Sequence, residues 1–156
     1  MATSRSQYAA CRLVEDRTLK LGRKAGREPV YYNGVVVTED MLLVTDYNEW
    51  NIQLYSRRDG KLMATSHKLE SRPMSVCLIS KTEVAVCLWN RTIVILSFKS
   101  IDDVKRVKTL YIRTGFYKCH SVAKLNSSKL VVSGWKLDCM LYWCVVNLTD
   151  GRVDST

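Results

Sequence analysis

The chain has 156 residues, 47% apolar and 25% charged, with a formal net charge of +9. This balance fits one globular domain with enough apolar content for a core, and no block of five like charges marks a polybasic tail. No apolar run approaches bilayer length, and six cysteines without a C-x-x-C pair beside only two histidines exclude zinc sites of the finger or RING type.

Residues 1–16 read as an N-terminal tail that opens a basic stretch, residues 1–30 carrying seven Lys or Arg against three acids, and it lacks the apolar centre of a signal peptide. A cytoplasmic location with free thiols is therefore expected, and no membrane contact. Thr18 to Leu21 is strand-like. From Val35 onward the chain repeats itself. The first copy reads "VVVTEDMLLVTDYNEWNIQLYS", the second, from Val76, "VCLISKTEVAVCLWNRTIVILSF", and the third, from Val122, "VAKLNSSKLVVSGWKLDCMLYWCVVNL". Tyr47, Trp89 and Trp135 occupy equivalent places, each in a polar turn between two apolar strands.

A fourth strand follows in each copy: Leu62 to His67 after Asp59-Gly60, Val107 to Ile112, and a short end after Asp150-Gly151. Asp-Gly between apolar runs predicts a tight hairpin, because both residues tolerate positive φ. Four antiparallel strands repeated every forty-odd residues predict an all-β fold, a β-propeller segment of about three blades and an incomplete propeller. The expected division is a partial propeller over 17–156, with blades near 30–69, 70–115 and 116–156. Runs such as "VAVCLW" and "TIVILSF" are continuous rather than alternating, which predicts strands buried on both faces. An array of this kind leaves open blade faces and edges, so self-association is expected.

The stretch "LLVTDYNEWNIQLYSRRDGKL", followed by "SRPMSVCLISKTEVAVCLWNRTIVILSF", resembles the NHL-type propeller blades of TRIM-like (tripartite-motif) proteins. The Asp-Tyr-Asn signature stands in the first copy, Trp-Asn replaces it in the second, and Gly-Trp-Lys departs from it in the third. The resemblance implies a non-enzymatic recognition module that binds a macromolecular partner, a protein in the first reading and single-stranded RNA in the alternative. The RING, B-box and coiled-coil parts of tripartite-motif proteins have no counterpart in these residues, so ubiquitin transfer is not assigned to them.

No catalytic, metal or cofactor site is expected. Cys119 and His120 are adjacent on a strand and so point to opposite faces, and Asp102-Asp103 reads as a solvated turn. Loops on a rigid β scaffold commonly carry function. Those entering each blade and those between its second and third strands share one end of the disk. They hold Tyr31, Trp50, Arg72, Trp89, Arg91, Lys118, His120, Trp135 and Lys136, the candidate partner-binding face. Aromatics there suit hot-spot contacts with protein or stacking with unpaired bases, while the cations suit carboxylates or phosphates.

Overall fold

The computed structural model describes residues 32–36, 39–98, 104–111 and 116–154. Twelve strands and no helix occur among them. The first sheet holds β1 (Tyr32–Val36), β2 (Met41–Asp46), β3 (Asn51–Ser56) and β4 (Leu62–Lys68). The second holds β5 (Pro73–Ser80), β6 (Glu83–Leu88), β7 (Thr92–Phe98) and β8 (Val104–Tyr111). The third holds β9 (Lys118–Lys124), β10 (Lys129–Trp135), β11 (Leu141–Asn147) and the two-residue β12 (Val153–Asp154). Each sheet is an antiparallel meander in chain order. The expected segment of three four-stranded blades is the observed architecture. The strand-like Thr18 to Leu21 and the residue 1–16 tail lie outside the described residues.

The sheets stack face to face, and the side-chain period of two sorts the second sheet's residues onto its neighbours. Val84, Val86, Leu88, Val94, Leu96 and Phe98 pack against Met41, Leu43, Ile52 and Leu54 of the first sheet. The intervening Ala85, Cys87, Ile93 and Ile95 pack against Cys119, Val122, Leu130, Val132, Cys144 and Val146 of the third. Nearly every position of β6 and β7 is therefore buried, which is why their sequence shows no polar alternation. The first strands of successive blades are neighbours, β1 beside β5 and β5 beside β9. Two lysines fasten the second sheet to the third. Lys124 Nζ donates to the Ile79 carbonyl at 2.6 Å, and Lys108 Nζ donates to the carbonyls of Leu148 (3.1 Å) and Thr149.

The turns repeat as the strands do. Arg57–Gly60 and Leu148–Gly151 are matching four-residue loops: Gly60 N–H donates to Ser56 C=O and Gly151 N–H to Asn147 C=O, both at 2.9 Å. Only the glycines have positive φ, 70° and 72°. The expected tight Asp-Gly hairpin is thus corrected to a longer loop. Its aspartate stays in ordinary space and accepts a backbone N–H two residues on, Lys61 at 3.2 Å and Arg152 at 2.9 Å. Three asparagines also accept from the residue two positions on. Asn90 accepts from the Thr92 hydroxyl, Asn126 from Ser128 N–H and Asn147 from Thr149 N–H.

Candidate functional site

The turns between second and third strands, 47–50, 89–91 and 136–140, close one end of the stack. Each ends in or contains a residue with left-handed backbone: Trp50 (φ 53°), Arg91 (φ 69°) and Cys139 (φ 60°). This conformation is uncommon for residues other than glycine, and its recurrence in three equivalent turns marks it as the turn's own geometry. The turns are also held by side chains. Asp46 Oδ1 accepts the N–H groups of Asn48 and Glu49, both at 3.0 Å. In the third turn Asp138 Oδ1 accepts Met140 N–H at 3.0 Å, while its Oδ2 accepts the Tyr142 hydroxyl at 2.6 Å. That hydroxyl bond holds the Asp138 carboxyl below the usual aspartate range and pushes the Tyr142 phenol up.

Fixed turns place the aromatic of one blade against that of the next. Tyr47 and Trp89 meet edge to face with centroids 6.4 Å apart. Arg72 lies over Tyr47, its guanidinium carbon 5.0 Å from the ring centroid, and donates to the Tyr47 hydroxyl at 3.1 Å. Lys118 Nζ sits 4.3 Å from the Trp89 centroid and 5.8 Å from that of Trp135. His120 meets the Trp135 ring at 6.3 Å. A continuous row, Arg72–Tyr47–Trp89–Lys118–Trp135–His120, thus crosses all three sheets at one end. Cation–π contact of this kind contributes roughly 0.5–1 kcal/mol where exposed.

Arg91 stands beside the row and donates to the Phe116 carbonyl at 3.5 Å. Lys136 lies over Tyr142 at 4.1 Å. Trp50 is 38% exposed and its ring takes no part in the row; only its carbonyl is engaged, by Leu69 N–H. Tyr31 lies outside the described residues, as do Asp102 and Asp103. Among the described residues no carboxylate comes within ion-pair distance of Arg72, Arg91, Lys118 or Lys136. The end face is therefore a row of cations on an aromatic floor with no carboxylate in direct ion-pair contact among the described residues, although the Asp138 carboxylate lies near enough to Lys136 to feel its charge.

Tyr47 and Tyr142 complete this arrangement, although neither stands among the candidate residues read from the sequence. Tyr47 had a usable signal, its repeat equivalence to Trp89 and Trp135. Tyr142 lies inside an apolar strand and had none. Cys119 is buried while His120 is exposed, so the adjacent pair does not face one space. Four thiols, Cys77, Cys87, Cys119 and Cys144, gather between the second and third sheets. Burial pushes Cys77 and Cys144 up to about 11, and Cys87 is raised by its hydrogen bond to Cys119 together with burial. Such thiols behave as small hydrophobes rather than nucleophiles. No group of three or more ligating side chains that could hold a metal occurs among the described residues. No described helix is long and apolar enough to cross a membrane.

No family model matches the chain, and no curated protein matches it by sequence. Solved structures do resemble it. A chain in the Saccharomyces cerevisiae complex of dbp5 bound to nup159, gle1, IP6 and ADP aligns at TM-score 0.59 and 11% identity, over 81% of this chain and 36% of that one. Hydrazine synthase of Kuenenia stuttgartiensis aligns at TM-score 0.65 and 12% identity, over 79% and 35%. The WD40 domain of Toxoplasma gondii coronin aligns at TM-score 0.57 and 9% identity, over 73% and 29%. The chain spans about a third of the length of these structures. At such identities the likeness is one of fold: three blades of the β-propeller type.

Proposed function

We propose that the chain is a non-enzymatic recognition module whose end face binds an acidic segment of a partner protein. The observation that carries this reading is the row from Arg72 to His120. Its cations lack carboxylate partners within the described residues, and it runs across three rigidly stacked sheets. Charge complementarity would bring a run of Asp and Glu onto it, and the half-buried rings would supply apolar contact between the charges. The propeller fold supports an interaction role in general. The Asp46-Tyr47-Asn48 turn supports kinship with NHL-type blades in particular. The free thiols at Cys77, Cys87, Cys119, Cys139 and Cys144 suit action in the cytoplasm.

Single-stranded RNA is the weaker reading for a geometric reason. Lys118 already covers a face of Trp89, and Arg72 covers Tyr47. A base would have to displace a cation to stack there, whereas a carboxylate can bind the cation where it sits. The deciding experiment measures binding of a labelled Asp/Glu-rich peptide and of a single-stranded oligoribonucleotide at two salt concentrations. The peptide should bind, and the combined variant Arg72→Glu, Arg91→Glu, Lys118→Glu, Lys136→Glu should lose it while keeping its far-UV spectrum. Tighter binding of the oligoribonucleotide than of the peptide would overturn the protein reading in favour of RNA. Binding of neither would remove this face as the site.

A further inference from the structure

The third sheet has a second face, turned away from the core, and its chemistry differs from that of the end face. The register fixes what lies there. Val131 pairs with Ala123 and Val145, Ser133 with Ser121 and Trp143, and Trp135 with Leu141. These positions alternate with Leu130, Val132, Cys144 and Val146, which fill the core against the second sheet. Trp143 is 62% exposed and Leu141 53% exposed. Lys129 and Asp154 border this face and neutralise each other at 2.7 Å, while Lys118, cross-strand from Trp135, stands at its margin with the end face. Away from that margin, a chain of formal charge +9 thus carries a largely apolar sheet face with Trp143 near its centre. Contiguous apolar patches of this kind mark interaction sites.

The geometry points to a second copy of this chain as the occupant, packed third sheet against third sheet about a twofold axis. Three features argue for it. The molecule already uses sheet-on-sheet packing twice, between its first and second and its second and third sheets, and the dimer continues that stack by one more step. The face is self-complementary: the small side chains of Ser121 and Ser133 stand cross-strand from Trp143, where the other copy's indole would pack, and Lys129 and Asp154 at its border are paired with each other. The opposite end of the stack is closed to the same use. On the first sheet the positions turned from the core include Val44 and Tyr55, which are only 3% and 5% exposed. These positions offer little apolar surface to the third sheet of another copy, which disfavours the open stacking that would grow a fibre, so association is expected to stop at two.

Size sets the strength. Three strands of about seven residues and one short strand, at ~3.4 Å per residue and ~4.8 Å between strands, present about 400 Å² to the other copy. Two such faces fall below the ~1,200–2,000 Å² of a standard stable interface, so a weak, concentration-dependent dimer is expected.

Sedimentation equilibrium of the full chain from low to high micromolar concentration tests this. The mass should rise from monomer to dimer and stop there, and Trp143→Glu should remain monomeric throughout with an unchanged far-UV spectrum. If Trp143→Glu fails to fold, Leu141→Lys on the same face should give the monomer instead. Leu62→Glu, an exposed apolar site on β4, should dimerise as the parent does. A parent chain monomeric at the highest concentration overturns the proposal. So do masses that climb past two, or equal loss of dimer in Leu62→Glu.

Discussion

The second and third sheets are built from the same unit and differ in what covers them. In the second, β6 and β7 are buried along almost their whole length on both faces. In the third, β10 alternates between buried and half-buried positions, and β11 begins with residues exposed to solvent. Yet "LYWCVV" in β11 is as apolar as "TIVILSF" in β7. A sheet that expected water on one face would place polar side chains there, as antiparallel sheets commonly do. The third sheet carries the sequence of a covered blade on an uncovered face. Apolar composition thus records the covering a strand is suited to, while burial records the covering supplied by the rest of this chain.

The largest expected effect breaks this comparison most directly. Leu96 of β7 is fully buried between the first and second sheets, whereas Leu141 of β11 is 53% exposed. Leu96→Ala should destabilise by about 2–5 kcal/mol in urea unfolding, from lost transfer energy and the cavity left behind. Leu141→Ala at dilute concentration should stay within about 0.5 kcal/mol, as surface substitutions do. Equal losses would mean that the outer face of the third sheet is covered in the monomer.

Gly134 comes next. It sits in β10 at a register shift between Ser133 and Gly134, and it is buried. A Cβ there would lie 2.5 Å from Phe116 Cδ2 and 2.7 Å from the Lys118 carbonyl oxygen. The ring could shift, but the backbone oxygen is part of β9. Gly134→Ala should therefore cost about 1–3 kcal/mol through overpacking. The loss should move the Lys118 backbone and so weaken the aromatic row as well. Near-UV circular dichroism, which reports the tryptophan environment, should change with it. No such penalty is expected in the second sheet, where Leu88 precedes the equivalent Trp89.

Lys118 probes the same seam from the other side. Its ammonium touches Trp89 of the second sheet and Trp135 of the third. Lys118→Met keeps the apolar stem and removes the charge. It should lower stability by roughly 0.5–1 kcal/mol, and its effect on acidic-peptide binding should exceed its effect on stability. The reverse ranking would make the row a seal between blades rather than a binding surface.

Much of this was legible in the sequence. The repeat sets Tyr47, Trp89 and Trp135 in register, and their equivalence is what brings Tyr47 to Trp89. The continuous runs of β6 and β7 announced two-sided burial. Other features were not legible, for identifiable reasons. The loops at Gly60 and Gly151 are two residues longer than the Asp-Gly rule expects, because strand ends are set by closing hydrogen bonds at Ser56 and Asn147 rather than by the dipeptide. Trp50 shares a turn with Tyr47 yet stays out of the row, since equivalence between blades, not aromatic character, selects the contact. The Gly134–Phe116 approach joins residues eighteen apart with no periodic signature. The exposure of Trp143 depends on what stands beside the third sheet, which strand composition does not state.

The smallest effect concerns the two outer turns. Asp46 in the first sheet is 4% exposed and accepts two backbone N–H groups, while Asp138 in the third holds Met140 N–H and the Tyr142 hydroxyl at the surface. Tyr142 holds the Asp138 carboxyl below its ordinary value of 3.8. A depressed folded-state value means the folded chain favours the carboxylate. Its stabilisation is then fully present above the unfolded-state value and disappears as pH falls through the depressed one. The group is solvated, so the contribution is small. Asp138→Asn retains an acceptor for Met140 N–H but loses the charge. Between pH 5 and pH 7 it should shift the midpoint of thermal unfolding far less than Asp46→Asn does, because a buried carboxylate has fewer ways to be replaced by water. Its difference from the parent should shrink further as the pH is lowered through the acid range. A difference that grows on acidification would reverse the assigned sign and show that the third turn prefers the neutral acid. A shift as large as that of Asp46→Asn would show that the third turn is as buried as the first, and the contrast between covered and uncovered sheets would fail at its outer end.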